Sequence, residues 1–207
     1  MKKTLICLFF LLLSVVSCNK SAIDKISREE YLVINAALNS ILKSSLTPNS
    51  LEYEEIAKSE GLYGRSWSEK DLEKFQKTFE LKKMPEFSLS DTLFAVSAEN
   101  PVFQALLNSR NLKAEHSNLS KQILDSTRIF TPENYTKTNK EVAKNRTFVG
   151  KFQFGRIIFD RSGEKALVPF YYWKEKNSAQ KKESVIFMKK EKNSWTQDIR
   201  FGGTTFK

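Results

Sequence analysis

Five carboxylates in two short stretches are the residues best suited by type to acid–base work: Glu52, Glu54 and Glu55, then Asp71 and Glu73. Two acids about 5–10 Å apart across a cleft can hydrolyse a glycosidic bond, one giving a proton while the other attacks or activates water. Acids this dense also serve simply to solvate a surface, and their spacing alone does not bring them together. The one histidine, His116, lies in the polar stretch Glu115-His116-Ser117. It could activate a serine, but no Gly-x-Ser-x-Gly elbow exists to present one. His116 therefore reads as a solvated loop residue. Gly61, Gly64, Gly202 and Gly203 form no phosphate-binding pattern, and no cofactor is expected.

Charge offers a second kind of chemistry. The chain carries a net +10, and from Lys140 to Lys207 it holds 16 basic against 7 acidic residues. Its last third therefore carries most of the positive excess. Lysines there interleave with Tyr171, Tyr172, Trp173 and Trp195. Aromatic platforms beside cations hold single-stranded nucleic acid, and they equally suit anionic glycans or lipid headgroups. The candidate contacts are Lys174, Lys176, Lys181, Lys182, Lys189 and Lys190. A sheet with aromatics inside and lysines outside would produce the same interleaving. Two tripeptides, Asp91-Thr92-Leu93 and Asp125-Ser126-Thr127, resemble the acceptor of a general O-glycosylation system used on exported proteins by some Gram-negative bacteria. The resemblance implies modification at Thr92 and Ser126.

The N-terminus bears on where these groups act. Lys2 and Lys3 precede an uncharged run from Leu5 to Val16. A spanning helix needs about 20 apolar residues, whereas the h-region of a signal peptide needs roughly 7–15. The run ends on Val15-Val16-Ser17-Cys18, which resembles the lipobox of bacterial lipoproteins. That resemblance implies a cleaved signal peptide over 1–17, acylation of Cys18 and a lipidated tether over 18–24. Asn19 follows the cysteine where Asp would imply retention in the inner membrane, so the outer membrane of a Gram-negative bacterium is expected. An exported location leaves nucleic acid out as a partner. Cys7 falls in the signal and Cys18 carries lipid, so the mature body has no free thiol. With one histidine, it cannot build a zinc site of ordinary composition, and no metal is expected.

The elements behind the tether divide in two. Ser27-Arg28-Glu29-Glu30 has the capping-box pattern. Tyr31, Ile34, Leu38 and Ile41 then recur at helical spacing until Thr47-Pro48-Asn49. The stretch from Leu51 to Gly64 is ambiguous and suits a short strand. Ser68 opens a second helix with Leu72, Phe75 and Phe79 on one face, stopped by Pro85. Phe87 to Val96 alternates as a strand, and Asn100-Pro101 starts a helix. A further helix is expected from about Asn118 to Ile129, then a polar loop from Thr131 to Asn145.

From Phe148 the period becomes two. Strands follow through Phe159, from Ala166 to Trp173, from Val185 to Met188 and from Trp195 to Phe201, with turns at Asp160-Arg161-Ser162-Gly163 and Glu191-Lys192-Asn193. Pro169 cannot donate to a ladder, which places its strand at an edge or a bulge. The expected fold is α+β: N-terminal helices (about 25–145) packed on a C-terminal antiparallel β-meander of about four strands (about 146–207), in one domain over 25–207. Ile158-Phe159-Asp160, Ala166-Leu167-Val168, Tyr171-Tyr172-Trp173, Ile186-Phe187-Met188 and Asn193-Ser194-Trp195 resemble the C-terminal sheet of small uncharacterised Gram-negative lipoproteins. Some of those carry a cysteine pair between the strands, which is absent here. The expected function is a non-enzymatic envelope binding or interaction protein, held on the lipid bilayer through Cys18, with an envelope protein or an anionic glycan or lipid as partner. The alternative is a carboxylate-based hydrolase acting on envelope glycans.

Overall fold

Ser27 starts the first helix as its spacing predicts: its hydroxyl accepts from the Glu30 amide at 3.0 Å, and the Glu30 carboxylate accepts from the Ser27 amide at 3.1 Å. This helix, α1, runs Arg28–Ser45 in the computed structural model, which describes residues 25–138, 146–174 and 181–198 together with the backbone of 204–206. The expected signal peptide, Cys18 and the tether lie outside the described residues.

The stretch 51–64 is a helix instead of a strand. Asn49 and Glu52 form a second capping box, and α2 spans Ser50–Ser59. Its apolar stripe is thin, with only Ile56 and Ala57 buried, so periodicity gives little warning of it. Helix α3, Glu69–Lys83, starts on Ser68 and ends with Met84 in the left-handed conformation, just before Pro85. Helix α4, Pro101–Ser109, has Asn100 as its cap and proline in its first turn.

The helix expected over 118–129 does not form. Its buried residues Leu119, Leu124 and Ile129 come every five positions, about 140° apart on a helix at 3.6 residues per turn, so they share no face. The segment instead builds short strands β4 (Asn118–Leu119) and β5 (Gln122–Ile123), then a 3-10 turn over Ser126–Arg128. The region 87–96 likewise breaks into β1 (Glu86–Leu89), β2 (Thr92–Leu93) and β3 (Val96–Ser97). β2 pairs with β5, and β3 with β4, both antiparallel.

The remaining strands are β6 (Thr136–Lys137), β7 (Phe148–Phe154), β8 (Ile158–Phe159), β9 (Lys165–Trp173), β10 (Lys182–Glu191), β11 (Ser194–Gln197) and β12 (Thr204–Phe206). β6 interrupts the loop expected over 131–145, of which 139–145 lie outside the described residues. The meander β7-β9-β10-β11 is antiparallel as expected. The sheet is nevertheless mixed and has eight strands, because β1 pairs in parallel with both β7 and β6. All four residues of β1 are buried, the pattern of a strand covered on both faces.

Pro169 sits inside this sheet and not at its edge, in a break in the ladder. Its carbonyl accepts from the Gly155 amide at 2.8 Å, so its nitrogen faces the same side. There residues 155–157 lie between the pairs Phe154↔Phe170 and Ile158↔Leu167, three residues against two. The extra residue is a bulge, and the missing N–H falls where no ladder bond is needed.

Side-chain alternation divides the core. Val168, Phe170, Ile186 and Met188 pack with Ile34, Leu38 and Leu42 of α1. Leu167, Val185 and Phe187 face the other way, against Val96, Leu107 and Leu112. Each such fully buried side chain contributes about 1.5–3 kcal/mol, so both layers are needed.

Candidate ligand-binding cavity

The second layer is incomplete. It is made of two-residue strands and the nine-residue α4, of which only Leu107 is buried. Val102 stays 44% exposed, and Phe103 is half-buried where it packs against the edge of this layer. Beneath it lies a cavity of about 810 Å³. β9 and β10 supply its floor through Pro169, Tyr171, Glu183 and Val185. Phe94, the paired strands β3 and β4 through Val96 and Asn118 to Ser120, and Phe103 of α4 complete the lining. Gly155 lets Phe94 sit this close: a Cβ there would lie 2.6 Å from the Phe94 ring. The volume and largely apolar lining suit a small ligand.

Polar groups gather at one end. Phe94 and Tyr171 rings lie 4.5 Å apart and Tyr171 and Trp173 rings 6.2 Å apart. Lys181 Nζ stands 3.8 Å from the centre of the Tyr171 ring, and Lys151 Nζ 5.5 Å from that of Trp173, both in cation–π range. Burial pushes the Tyr171 hydroxyl up to about 12, helped by its hydrogen bond to Glu183 and by that carboxylate's charge. Tyr171 is thus neutral near pH 7 and donates to Glu183. Among the described residues lining the cavity, Glu183 is the only carboxylate and there is no histidine. The arrangement can bind and orient a molecule, and it offers no nucleophile with a base beside it.

The sequence-derived candidates scatter. Lys181 reaches the cavity mouth, and Lys174 and Lys182 are exposed at the same end of the sheet. Lys176 lies outside the described residues. Lys189 and Lys190 fall at the opposite end, where Lys189 pairs with Glu191 at 2.5 Å and Lys190 with Glu29 at 2.6 Å. Thr92 is half-buried and its hydroxyl oxygen accepts from Gln153 Nε2 at 3.1 Å, whereas Ser126 is exposed. His116 lies 3.8 Å from Glu115.

The acids proposed for hydrolysis are mostly engaged. Glu52 pairs with Lys83, Glu54 with Lys58 at 2.6 Å, Glu55 with Lys82 at 2.6 Å, and Asp71 with Arg65 at 2.7 Å. Arg65, then Ser68, hold the Asp71 carboxyl far below the usual carboxylate range. Glu73 lines a second, shallower cavity of about 800 Å³ with Glu80 and Glu133. The buried Glu80 accepts from Gln76 at 3.0 Å and from Asn134 and Tyr135 at 3.4 Å. Burial, then the Glu80 charge, raises Tyr135 well above the usual phenol range, so these two groups pin the 130–135 loop to α3.

Sequence reading missed the ligand cavity and one buried ion pair. Arg156 Nε and Nη2 donate to Glu30 at 2.9 and 3.3 Å, and the Ile157 amide adds a third bond at 3.2 Å. Glu30 was visible only as half of a capping box.

The described chain is an α+β protein with a mixed sheet and an apolar cavity between β9, β10 and the second core layer. Among its described residues no helix is long and apolar enough to cross a membrane, and no three His, Cys, Asp or Glu residues group to hold a metal ion. Compared with known proteins, the chain matches no family model, no curated protein and no solved structure.

Proposed function

We propose that this chain is a lipid-anchored, non-enzymatic binding protein of the bacterial cell envelope, and that its ligand is an anionic amphiphile. The observation that carries the reading is an apolar cavity of about 810 Å³ with the Lys181 ammonium over its lining Tyr171 ring. The apolar body of the ligand lies beside α4, and its head meets Lys181, which stands over the Tyr171 ring. Glu183 keeps its negative charge beside Tyr171, so the head binds on the Lys181 side of the ring, where the ammonium offsets that carboxylate. Acylation of Cys18, with attachment to the outer membrane, rests on the N-terminal sequence.

Palmitate displacing a fluorescent anionic amphiphile tests the cavity. Saturable binding is expected. Ala95→Trp, at an exposed position on the cavity wall, should abolish it without changing the melting temperature. Lys181→Gln should weaken palmitate by about fivefold, roughly 1 kcal/mol, and leave hexadecanol unchanged, whereas Lys182→Gln, on the other face of the sheet, should change neither. No saturable binding, or binding indifferent to Ala95→Trp, would refute the reading. Attachment is tested separately: Cys18→Ala should abolish lipid labelling of the protein in its host.

A further inference from the structure

Lys174, Lys181 and Lys182 cannot form one surface with Lys189 and Lys190. They stand at opposite ends of β9 and β10, because Lys182 pairs with Tyr172 and Lys189 with Lys165. From Lys182 to Lys190 the strand covers about 26 Å at roughly 3.3 Å per residue. α1 begins at the second of these ends. Glu29 accepts there from Lys190 Nζ at 2.6 Å and from Trp195 Nε1 at 2.7 Å. The turn over 160–163 joins the same end, where the Arg161 amide donates to the Lys113 carbonyl at 2.9 Å.

This is also the end from which the chain leads back to Cys18. Residues 18–24 reach at most about 25 Å even when fully extended. Around the start of α1, Lys25, Arg28, Lys113, Arg161, Lys165 and Lys192 are all exposed, and none makes an ion pair among the described residues. Among the described residues, three carboxylates there, Glu115, Asp160 and Glu164, make no ion pair with a lysine or arginine, against six unpaired cations.

We infer that this end of the domain is a membrane-docking face for anionic lipid headgroups, and that the cavity mouth points away from the anchoring leaflet. The inference rests on the reading of Cys18 as an acylated anchor. Electrostatic attraction to a bilayer fades over about 8–10 Å. With the anchor end on the surface, Lys181 at the cavity mouth lies more than two such lengths away and is left to the ligand.

Vesicle sedimentation separates the two ends. Both cores consist of residues after position 25, so the chain from residue 18 with Cys18→Ser keeps the described fold. It is mixed with vesicles of phosphatidylglycerol and phosphatidylcholine, or of phosphatidylcholine alone, at low and high salt. Binding is expected only to the anionic vesicles and only at low salt. Replacing Lys25, Arg28, Arg161 and Lys165 with Gln should weaken it tenfold or more, at about fivefold for each cation close to the surface. Replacing Lys174, Lys181 and Lys182 with Gln should change it less than about twofold, since those groups lie beyond the screening length. No binding by the parent chain, or an equal loss in the second variant, would overturn the inference. Because this chain carries no acyl group, those outcomes leave the anchor itself untouched. The anchor is decided by the intact mass of the protein from its host. Palmitate binding by the first variant should be unchanged, which keeps the docking face distinct from the cavity.

Discussion

Glu30 and Arg156 lie 126 positions apart and close a forked ion pair with both side chains at least 96% buried. Glu30 belongs to the first turn of α1, and Arg156 to the bulge between β7 and β8, so the pair fastens the helix to the sheet. The third bond, from the Ile157 amide, satisfies a backbone group that the bulge removes from the ladder.

Removing one partner leaves the other charged and buried. Arg156→Met should destabilise the protein by about 3–5 kcal/mol, measured by urea unfolding. Glu30→Gln should cost less, because glutamine keeps the capping-box acceptor. The double variant Glu30→Gln with Arg156→Met should recover a large part of the Arg156→Met loss. Equal losses in the single and double variants would show that packing dominates over charge.

Acid should loosen the other contact at this helix end. Hydrogen bonds from Lys190 and then Trp195 lower the Glu29 carboxyl below its ordinary 4.5. A carboxyl depressed in the folded state contributes stability above its unfolded value, and that contribution disappears as pH falls through the folded value. Stability and Trp195 emission should therefore change together below pH 4.5. Glu29→Gln should remove this part of the acid dependence, leaving stability at the acid end of the titration, where the parent carboxyl is protonated, close to that of the parent.

The cavity tyrosine gives an alkaline counterpart. Tyr171 ionises near 12 in the folded chain against an ordinary 10, so its contribution is complete below pH 10 and is lost as pH rises toward 12. Ultraviolet difference titration should show a late tyrosinate step near 12 that Tyr171→Phe abolishes. A bound anionic amphiphile should delay the step further, because a negative head opposes a second negative charge beside it. An unchanged titration in Tyr171→Phe would place the late step elsewhere.

Glycosylation, if it follows folding, should choose between the two acceptor tripeptides. Ser126 is exposed at the start of the 3-10 turn, whereas the Thr92 hydroxyl is half-buried against Gln153. Peptide masses from the native host should show excess mass at Ser126 and none at Thr92. Modification at Thr92 alone would mean that the sugar is added before β2 pairs with β5.

Features that depend on neighbouring residues were legible in the chain itself. Ser27 with Glu30, Ser68 with Asp71 and Asn100 with Pro101 each start a helix from bonds spanning three residues or fewer. The turn at Gly163 and the two-residue period of β9 and β10 were equally local. Asn49 could have announced α2 by the same capping rule, but two buried side chains made too faint a stripe beside it. What tertiary structure decided spans far longer separations. β1 joins β7 in parallel across some sixty residues, and parallel pairing leaves no turn signal between the strands. Which lysines stay free and which meet carboxylates followed from the β9–β10 register, because an antiparallel pair sends its two ends to opposite sides of the domain. The cavity arose from what α4 fails to cover, and a gap between layers is a property of their packing that no single stretch of sequence encodes.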